Sequence, residues 1–186
     1  MEKLKHDKDY QQRFAEKEAA REARVKELRS AEKPIVKDLR AVGVKVESVW
    51  DLVNTSDPYP AALPVLLRHL SKGGYPDRVM ESLGRALAVK PAAVYWEELR
   101  QLYLSSVNPG EMEGLAVALT ASATKDHVDV LISLLGSDDR GSTRIHFLRK
   151  ILRLGGERGL EVVADLQADE TFGREATALM KRRKNR

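Results

Sequence analysis

Apolar residues in this chain recur with a period of 32 residues. The recurring positions are Leu67, Leu99, Leu131 and Val163; Leu70, Leu102, Leu134 and Leu166; Leu83, Leu115, Phe147 and Leu179; and Leu87, Leu119 and Ile151. A fixed period in the range of about 20–50 residues is typical of proteins built from stacked structural repeats. The period therefore predicts an array of similar units.

Each unit contains two short segments with helical periodicity. The first segments are PVLLRHLS, YWEELRQLYLSS, VDVLISLLG and LEVVADLQ, and the second segments are RVMESLGRALAV, EMEGLAVALTASA, TRIHFLRKILRLG and REATALMKRRK. Apolar residues recur in them at three- and four-residue spacing, which indicates helices. Pro76, Pro91 and Pro109 lie where a helix would begin, and Asn108 is a suitable N-cap. The sequence predicts an all-α fold of about four helical hairpins.

Two stretches carry a resemblance to a known repeat. In DDRGSTRIHFLRKILRLGG and TFGREATALMK, a turn with an acid precedes an arginine, Arg144 or Arg174, and a helix rich in leucine or alanine follows. These stretches resemble the short, lyase-type HEAT repeat, and the resemblance covers residues 58–184. The third hairpin departs from it, because Met112 replaces the arginine. The opening segment EKPIVKDLRAVGVKVESVWDLVNTSDPYP looks like the start of uncharacterised bacterial HEAT-like proteins.

The resemblance implies a HEAT-like α-solenoid and supplies no activity. It also implies that Arg144 is structural and pairs with an acid of a nearby turn, for which Asp138, Asp139 and Asp169 are candidates. Trp96 shares its column with Pro64, Val128 and Leu160, so we expect it to pack in the core. Trp50 is also expected to pack, with a base-stacking or ligand platform as the alternative for both tryptophans.

The rest of the chain divides into three non-repeating parts around the repeats of residues 58–180. Residues 1–33 are rich in helix formers, with favourable pairs at Asp9/Arg13 and Glu22/Lys26, and predict a charged helix or tail that packs along only part of its length. Residues 34–57 are expected to form an irregular capping hairpin, since the end units of a solenoid have one face without a neighbour. Residues 181–186 form a basic tail.

Composition excludes several classes of function. The chain has no cysteine, which removes disulfides, thiolate zinc sites and cysteine nucleophiles. The four histidines lie in separate segments without metal-binding spacing, and no nucleotide-binding or nucleophile motif is present. We therefore expect no catalytic residue, metal or cofactor. No apolar run approaches the ~18 residues of a membrane span, and no signal-peptide core is visible, which predicts a cytoplasmic protein without membrane association.

The stretch RIHFLRKILRLGG contains the main candidate binding surface. On a helical wheel its apolar residues fill one half, and its polar residues His146, Arg149, Lys150 and Arg153 lie opposite. This cationic ridge and the tail residues Lys181, Arg182 and Arg183 have the same charge sign. Either the ridge is an ordinary solvated face, or it contacts an acidic protein surface or a phosphate backbone.

Three functions are compatible with these features. The favoured one is a non-catalytic scaffold or adaptor that binds an acidic partner protein. The alternative is nucleic-acid binding through the ridge and the tail, which a net charge of +4 permits but does not require. The third is a DNA-glycosylase-like enzyme, because alkylpurine DNA glycosylases use HEAT-like stacks, although their catalytic residues have no counterpart that we can place here. The partner's identity and the oligomeric state stay open.

Overall fold

The computed structural model describes residues 2–184, with side chains from residue 10 onward, and this part of the chain is helical without a β-strand. Its α-helices are α1 (Glu2–Ala41), α2 (Trp50–Val53), α3 (Leu63–Lys72), α4 (Asp77–Ala86), α5 (Trp96–Ser105), α6 (Pro109–Ser122), α7 (Val128–Leu134), α8 (Ile145–Leu154), α9 (Gly156–Asp165) and α10 (Gly173–Lys184). Short 3-10 segments precede α3, α5, α7 and α8 and follow α9. The prediction of an all-α fold is confirmed. The side chains of His6 and Asp9 and the last two tail residues lie outside the described part.

Helix α1 is longer than the sequence boundary at residue 33 suggests. It continues through Pro34 to Ala41 as one helix. Pro34 cannot donate the hydrogen bond that residue 30 would accept, and such a loss costs about 3 kcal/mol in a helix interior. The helix nevertheless continues, because Ile35 and Leu39 just beyond the proline are fully buried. Residues 10–27, in contrast, are almost all exposed. We call residues 10–27 the free half of α1 and residues 28–41 its docked half.

The eight helices from α3 to α10 pack as four consecutive pairs. Helix α3 contacts α4, α5 contacts α6, α7 contacts α8, and α9 contacts α10. The second members also touch one another in order, since α4 contacts α6, α6 contacts α8, and α8 contacts α10. The docked half of α1 packs on α3 and α4, and α2 packs on α4. The docked half of α1 and helix α2 therefore cover the outer side of the first pair, α3 and α4.

The apolar residues of the 32-residue period form the core of the pairs. Leu99, Leu131 and Val163 of one column have no solvent exposure, and Leu67 is 6% exposed. The columns in the second helices are equally buried, whereas Leu102 and Leu166 are half-buried at the edge of the core. At about 25 cal/mol per Å² of apolar surface, burial of these columns is the main stabilising contribution of each pair.

Helices α4 and α6 approach each other at two glycines. A Cβ atom built on Gly84 would lie 2.5 Å from the carbonyl carbon of Gly114, and one built on Gly114 would lie 2.6 Å from the carbonyl oxygen of Glu81. Only residues without a side chain allow backbones to come this close. The two glycines therefore set the spacing between the second helices of the first two pairs.

Candidate cationic groove between α8 and α10

Arg144 lies in the turn before α8 and is only 5% exposed. Its guanidinium group donates to a carboxylate oxygen of Asp138 at 2.7 Å and to the carbonyl oxygen of Leu135. The guanidinium carbon also lies 5.1 Å from the centre of the Phe172 ring. Of the three candidate acids, the structure pairs Arg144 with Asp138. The arginine thus joins its own turn to the turn just before α10.

Asp139 and Asp169, the other two candidate acids, have different partners. Asp139 accepts from Arg140, and this hydrogen bond lowers the pKa of the Asp139 carboxyl. Asp169 accepts from the backbone N–H groups of Thr171 and Phe172 at 2.8 and 2.9 Å, just before α10. Asp169 therefore orders the turn into the last helix.

Arg140 was not predicted from the sequence to have a structural role, but it is buried, with 9% of its surface exposed. Its guanidinium donates to the carbonyl oxygens of Tyr103 and Ser106, at 2.9 and 2.6 Å, at the end of α5. The last carbonyl groups of a helix lack partners within the helix, and a cation there is favourable. One indication of this role is present in the sequence. The stretch DDRGSTR contains two arginines, and the repeat resemblance assigns a position to Arg144 but none to Arg140.

Two residues of the predicted ridge contact the neighbouring helix α6. The His146 ring nitrogen Nε2 lies 2.7 Å from a carboxylate oxygen of Glu113, which also accepts from Arg85 at 2.9 Å. The bond to His146, aided by the charges of His146 and Arg85, holds the pKa of Glu113 below its usual value. Accordingly, His146 bridges α8 and α6 and is not freely available to a partner.

Lys150 is the second of these residues. Its Nζ atom donates to the carbonyl oxygens of Ala121 and Ala123 at 3.2 and 3.4 Å, where α6 ends. Burial lowers the pKa of Lys150, and the nearby charges of Arg153 and Lys90 lower it further. The helical wheel correctly places His146 and Lys150 on the polar side of α8. In the structure, however, helix α6 covers the part of this side where the two residues lie.

The remaining ridge residues, Arg149 and Arg153, are exposed and face a groove shared with α10. The groove has a volume of about 520 Å³. Its lining residues are Arg149, Leu152, Arg153, Leu179, Arg182 and Arg183. Two of the tail residues proposed from the sequence therefore join two ridge residues at one place, while Lys181 is exposed beside the groove and does not line it.

The groove arginines differ from most other arginines of the fold in lacking an acidic partner. Seven arginines between residues 58 and 184 form salt bridges with carboxylates: Arg68, Arg78, Arg85, Arg100, Arg140, Arg144 and Arg158. The other five arginines of this range are the four groove arginines and Arg174. None of these five has a carboxylate partner within the described residues. In the part of the chain that the structure describes, no acidic residue lines the groove. It is therefore a concentrated, uncompensated positive site.

This arrangement suits an anionic ligand. A guanidinium group presents a planar set of donors that binds a carboxylate or a phosphate through two parallel hydrogen bonds. Leu152, which is half-buried, adds apolar surface between the charges, whereas Leu179 is almost fully buried. The groove can therefore bind a ligand that carries acidic groups next to apolar ones.

Both tryptophans pack against other side chains. Trp96 is 3% exposed, donates from Nε1 to the Leu119 carbonyl oxygen at 3.1 Å, and stacks on the His127 ring with 4.0 Å between ring centres. Trp50 is half-buried, and the guanidinium of Arg78 lies 4.1 Å from its ring centre. Stacking surfaces of both rings are thus occupied within the molecule.

Among the described residues, no three His, Cys, Asp or Glu side chains are grouped in a way that could hold a metal ion. None of the described helices combines the length and apolar character needed to cross a membrane. No protein-family model, curated protein or solved structure matches this chain.

Proposed function

We propose that this protein is a non-catalytic binding module, built on a HEAT-type α-solenoid, that holds an acidic segment of a partner protein in the groove between α8 and α10. The solenoid is supported by the buried columns with a 32-residue period and by the ordered contacts of α4, α6, α8 and α10. A stacked array offers a rigid surface, so a partner binds it with little ordering of the array itself.

The observation that carries the proposal is a set of four arginines around one groove that have no acidic partner among the described residues. Arginine is enriched where binding energy concentrates in protein interfaces, and its fork matches carboxylates. The leucine surface between the charges favours a peptide, whose acidic and apolar side chains can alternate along one face. The partner segment would then place two or more carboxylates against Arg149, Arg153 and the arginines of α10.

The second candidate ligand is a nucleic-acid backbone, since phosphates also match guanidinium groups. A backbone-binding surface usually follows the strand as an extended positive track. Here the four charges surround one short groove, which fits a local acidic segment better. Salt dependence separates the two, because binding through phosphates releases counterions and weakens steeply as salt rises.

The experiment compares three forms of the full chain as bait in cell extract, each with and without nuclease. The groove variant carries Arg149→Glu and Arg153→Glu, and the control carries Lys72→Glu and Lys125→Glu, which reverse two exposed charges elsewhere. We expect to recover a partner protein on wild type and on the control, with or without nuclease treatment. The groove variant should not recover this protein. Recovery of the same proteins by the groove variant would contradict the proposal, and a nuclease-sensitive loss would favour nucleic acid.

A further inference from the structure

The free half of α1 carries basic and aromatic side chains on one side. They are Tyr10, Arg13, Phe14, Lys17, Arg21 and Arg24, and each follows another by three or four residues. At about 100° per residue, the six fall within an arc of about 100°. Each acid of residues 10–27 lies about 90° or more from the centre of that arc. This basic-aromatic face is therefore free of interleaved acids.

The aromatic residues of this face are unusual for the molecule. Tyr10 is 67% exposed and Phe14 is 57% exposed, and they lie one helical turn apart. All the other aromatic side chains of the described chain are buried or half-buried. Single exposed apolar residues are ordinary in proteins, but the two most exposed aromatics coincide with a row of cations. This coincidence is what a binding face for a mixed aromatic and anionic ligand requires.

Among the described side chains, the cations of the face have few acidic partners. Arg13 and Lys17 have no acidic partner within the described part of the chain, and Arg21 and Arg24 make only exposed contacts with Glu18 and Glu27 on the same helix, at 3.7 and 3.2 Å. Exposed pairs of this kind contribute little and exchange easily for another anion. From Tyr10 to Arg24 the face extends about 21 Å along the helix.

From this geometry we infer that residues 10–24 of α1 bind single-stranded nucleic acid without strong sequence preference. Bases stack on the rings of Tyr10 and Phe14, and phosphates contact the row of arginine and lysine side chains. Positive tracks with interspersed aromatic rings bind single strands in this way, because every base has a π-face and every nucleotide a phosphate. Bases of a duplex are already stacked and cannot cover the two rings.

A membrane surface is the less suitable ligand. An interfacial helix buries a broad apolar face among the lipids, with leucine, phenylalanine or tryptophan along its length. Among the side chains that the structure describes, the free half of α1 exposes only Tyr10, Phe14 and Val25 as large apolar residues. The face is also separate from the proposed groove, because α1 packs on α3 and α4 while the groove lies between α8 and α10. The inference does not depend on the function proposed for the groove.

The test uses fluorescence anisotropy of the full-length protein with a labelled mixed-sequence RNA or DNA strand of about 12 nucleotides. The aromatic variant carries Tyr10→Ala and Phe14→Ala. The charge variant carries Arg13→Gln and Lys17→Gln. The matched control carries Lys26→Gln and Arg29→Gln, an equal charge loss on another side of α1, where both side chains are exposed.

We expect wild type and the control to bind alike. The aromatic variant should lose about tenfold or more in affinity with an unchanged salt slope, as expected for lost stacking. The charge variant should lose affinity, and its plot of log K against log salt should be less steep by about 1.4. The reason is that each phosphate contact to a single strand contributes about 0.7 to the steepness. The groove variant, Arg149→Glu with Arg153→Glu, should bind the strand as wild type does.

Other results overturn the inference. Equal losses in the charge variant and the control would mean that net charge, and not this face, attracts the strand. Binding to phosphatidylserine vesicles without binding to the oligonucleotide would assign the face to a membrane surface. Sedimentation of wild type as a dimer that the aromatic variant dissociates, again without oligonucleotide binding, would assign it to a second copy of the chain.

Discussion

Replacing Gly84 with alanine tests the close approach of α4 and α6, on which the stacking of the first two pairs depends. The added Cβ would lie 2.5 Å from the carbonyl carbon of Gly114 and 2.8 Å from the backbone nitrogen of Leu115. Carbon atoms pack best at about 3.5–4.0 Å, so the helices would have to separate by about 1 Å. The obstructing atoms belong to the backbone, which cannot move aside by changing a rotamer.

The magnitude follows from two opposed effects. Overpacking of a well-packed contact costs about 1–3 kcal/mol, and an immovable backbone places Gly84→Ala at the upper end of this range. Alanine also stabilises a helix by about 1 kcal/mol relative to glycine. We therefore expect the free energy of unfolding to fall by about 2 kcal/mol. In a chain of this size that lowers the Tm by about 4–8 °C.

The measurement is thermal and urea unfolding followed by circular dichroism. Gly136→Ala is the control, because its Cβ would meet only the carbonyl oxygen of Ser133, at an ordinary 3.5 Å. We expect that variant to stay within about 0.5 kcal/mol of wild type. If Gly84→Ala proves as stable as wild type or more stable, the two helices do not approach as described, and the argument for their stacking fails.

Four further predictions concern the core, the arginines, acid stability and α1. Leu131→Ala should destabilise by about 2–4 kcal/mol in urea unfolding, because the side chain has no solvent exposure; a change below about 0.5 kcal/mol would mean that it is not in the core. Arg144→Glu should lower the Tm clearly, because it buries an acid beside carbonyl oxygens, whereas Arg149→Glu on the surface should change stability by less than about 1 kcal/mol; equal Tm values would contradict this contrast. The pKa of Glu113 is below its usual 4.5 in the folded protein, so its contribution to stability is present above that pH and declines as the pH falls through the lowered pKa; an NMR titration of the carboxyl that gives an unshifted pKa would remove the effect. Deleting residues 1–27 should leave the melting of the remaining chain nearly unchanged, since residues 10–27 are almost all exposed; loss of cooperative melting would show that the segment stabilises the core.

Much of the helical core could be predicted from the sequence, because burial imposes a local pattern. A helix that packs on one side needs apolar residues every three or four positions, and similar packing in successive pairs repeats that pattern after 32 residues. This is why Leu99, Leu131 and Val163 could be assigned to the interior before any contact was known. The polar side of α8 follows from the same periodicity.

Contacts between distant segments could not be predicted in this way. Nothing near Lys150 or His146 in the chain indicates that α6 receives both, or that the buried Arg140 reaches the end of α5. Likewise, the continuation of α1 past Pro34 results from the burial of Ile35 and Leu39, a tertiary effect that outweighs the local preference of proline.

The groove illustrates the same division. The helical periodicity alone shows that α8 has a cationic side, and residues 181–184 are visibly basic in the sequence. Only the packing of α10 on α8 decided that Arg149 and Arg153 face Arg182 and Arg183, while Lys150 is covered. Charge is a property of each residue and is visible along the chain. Whether a charge is paired, covered or free depends on which helices meet, and that is settled by the burial of apolar surface throughout the core.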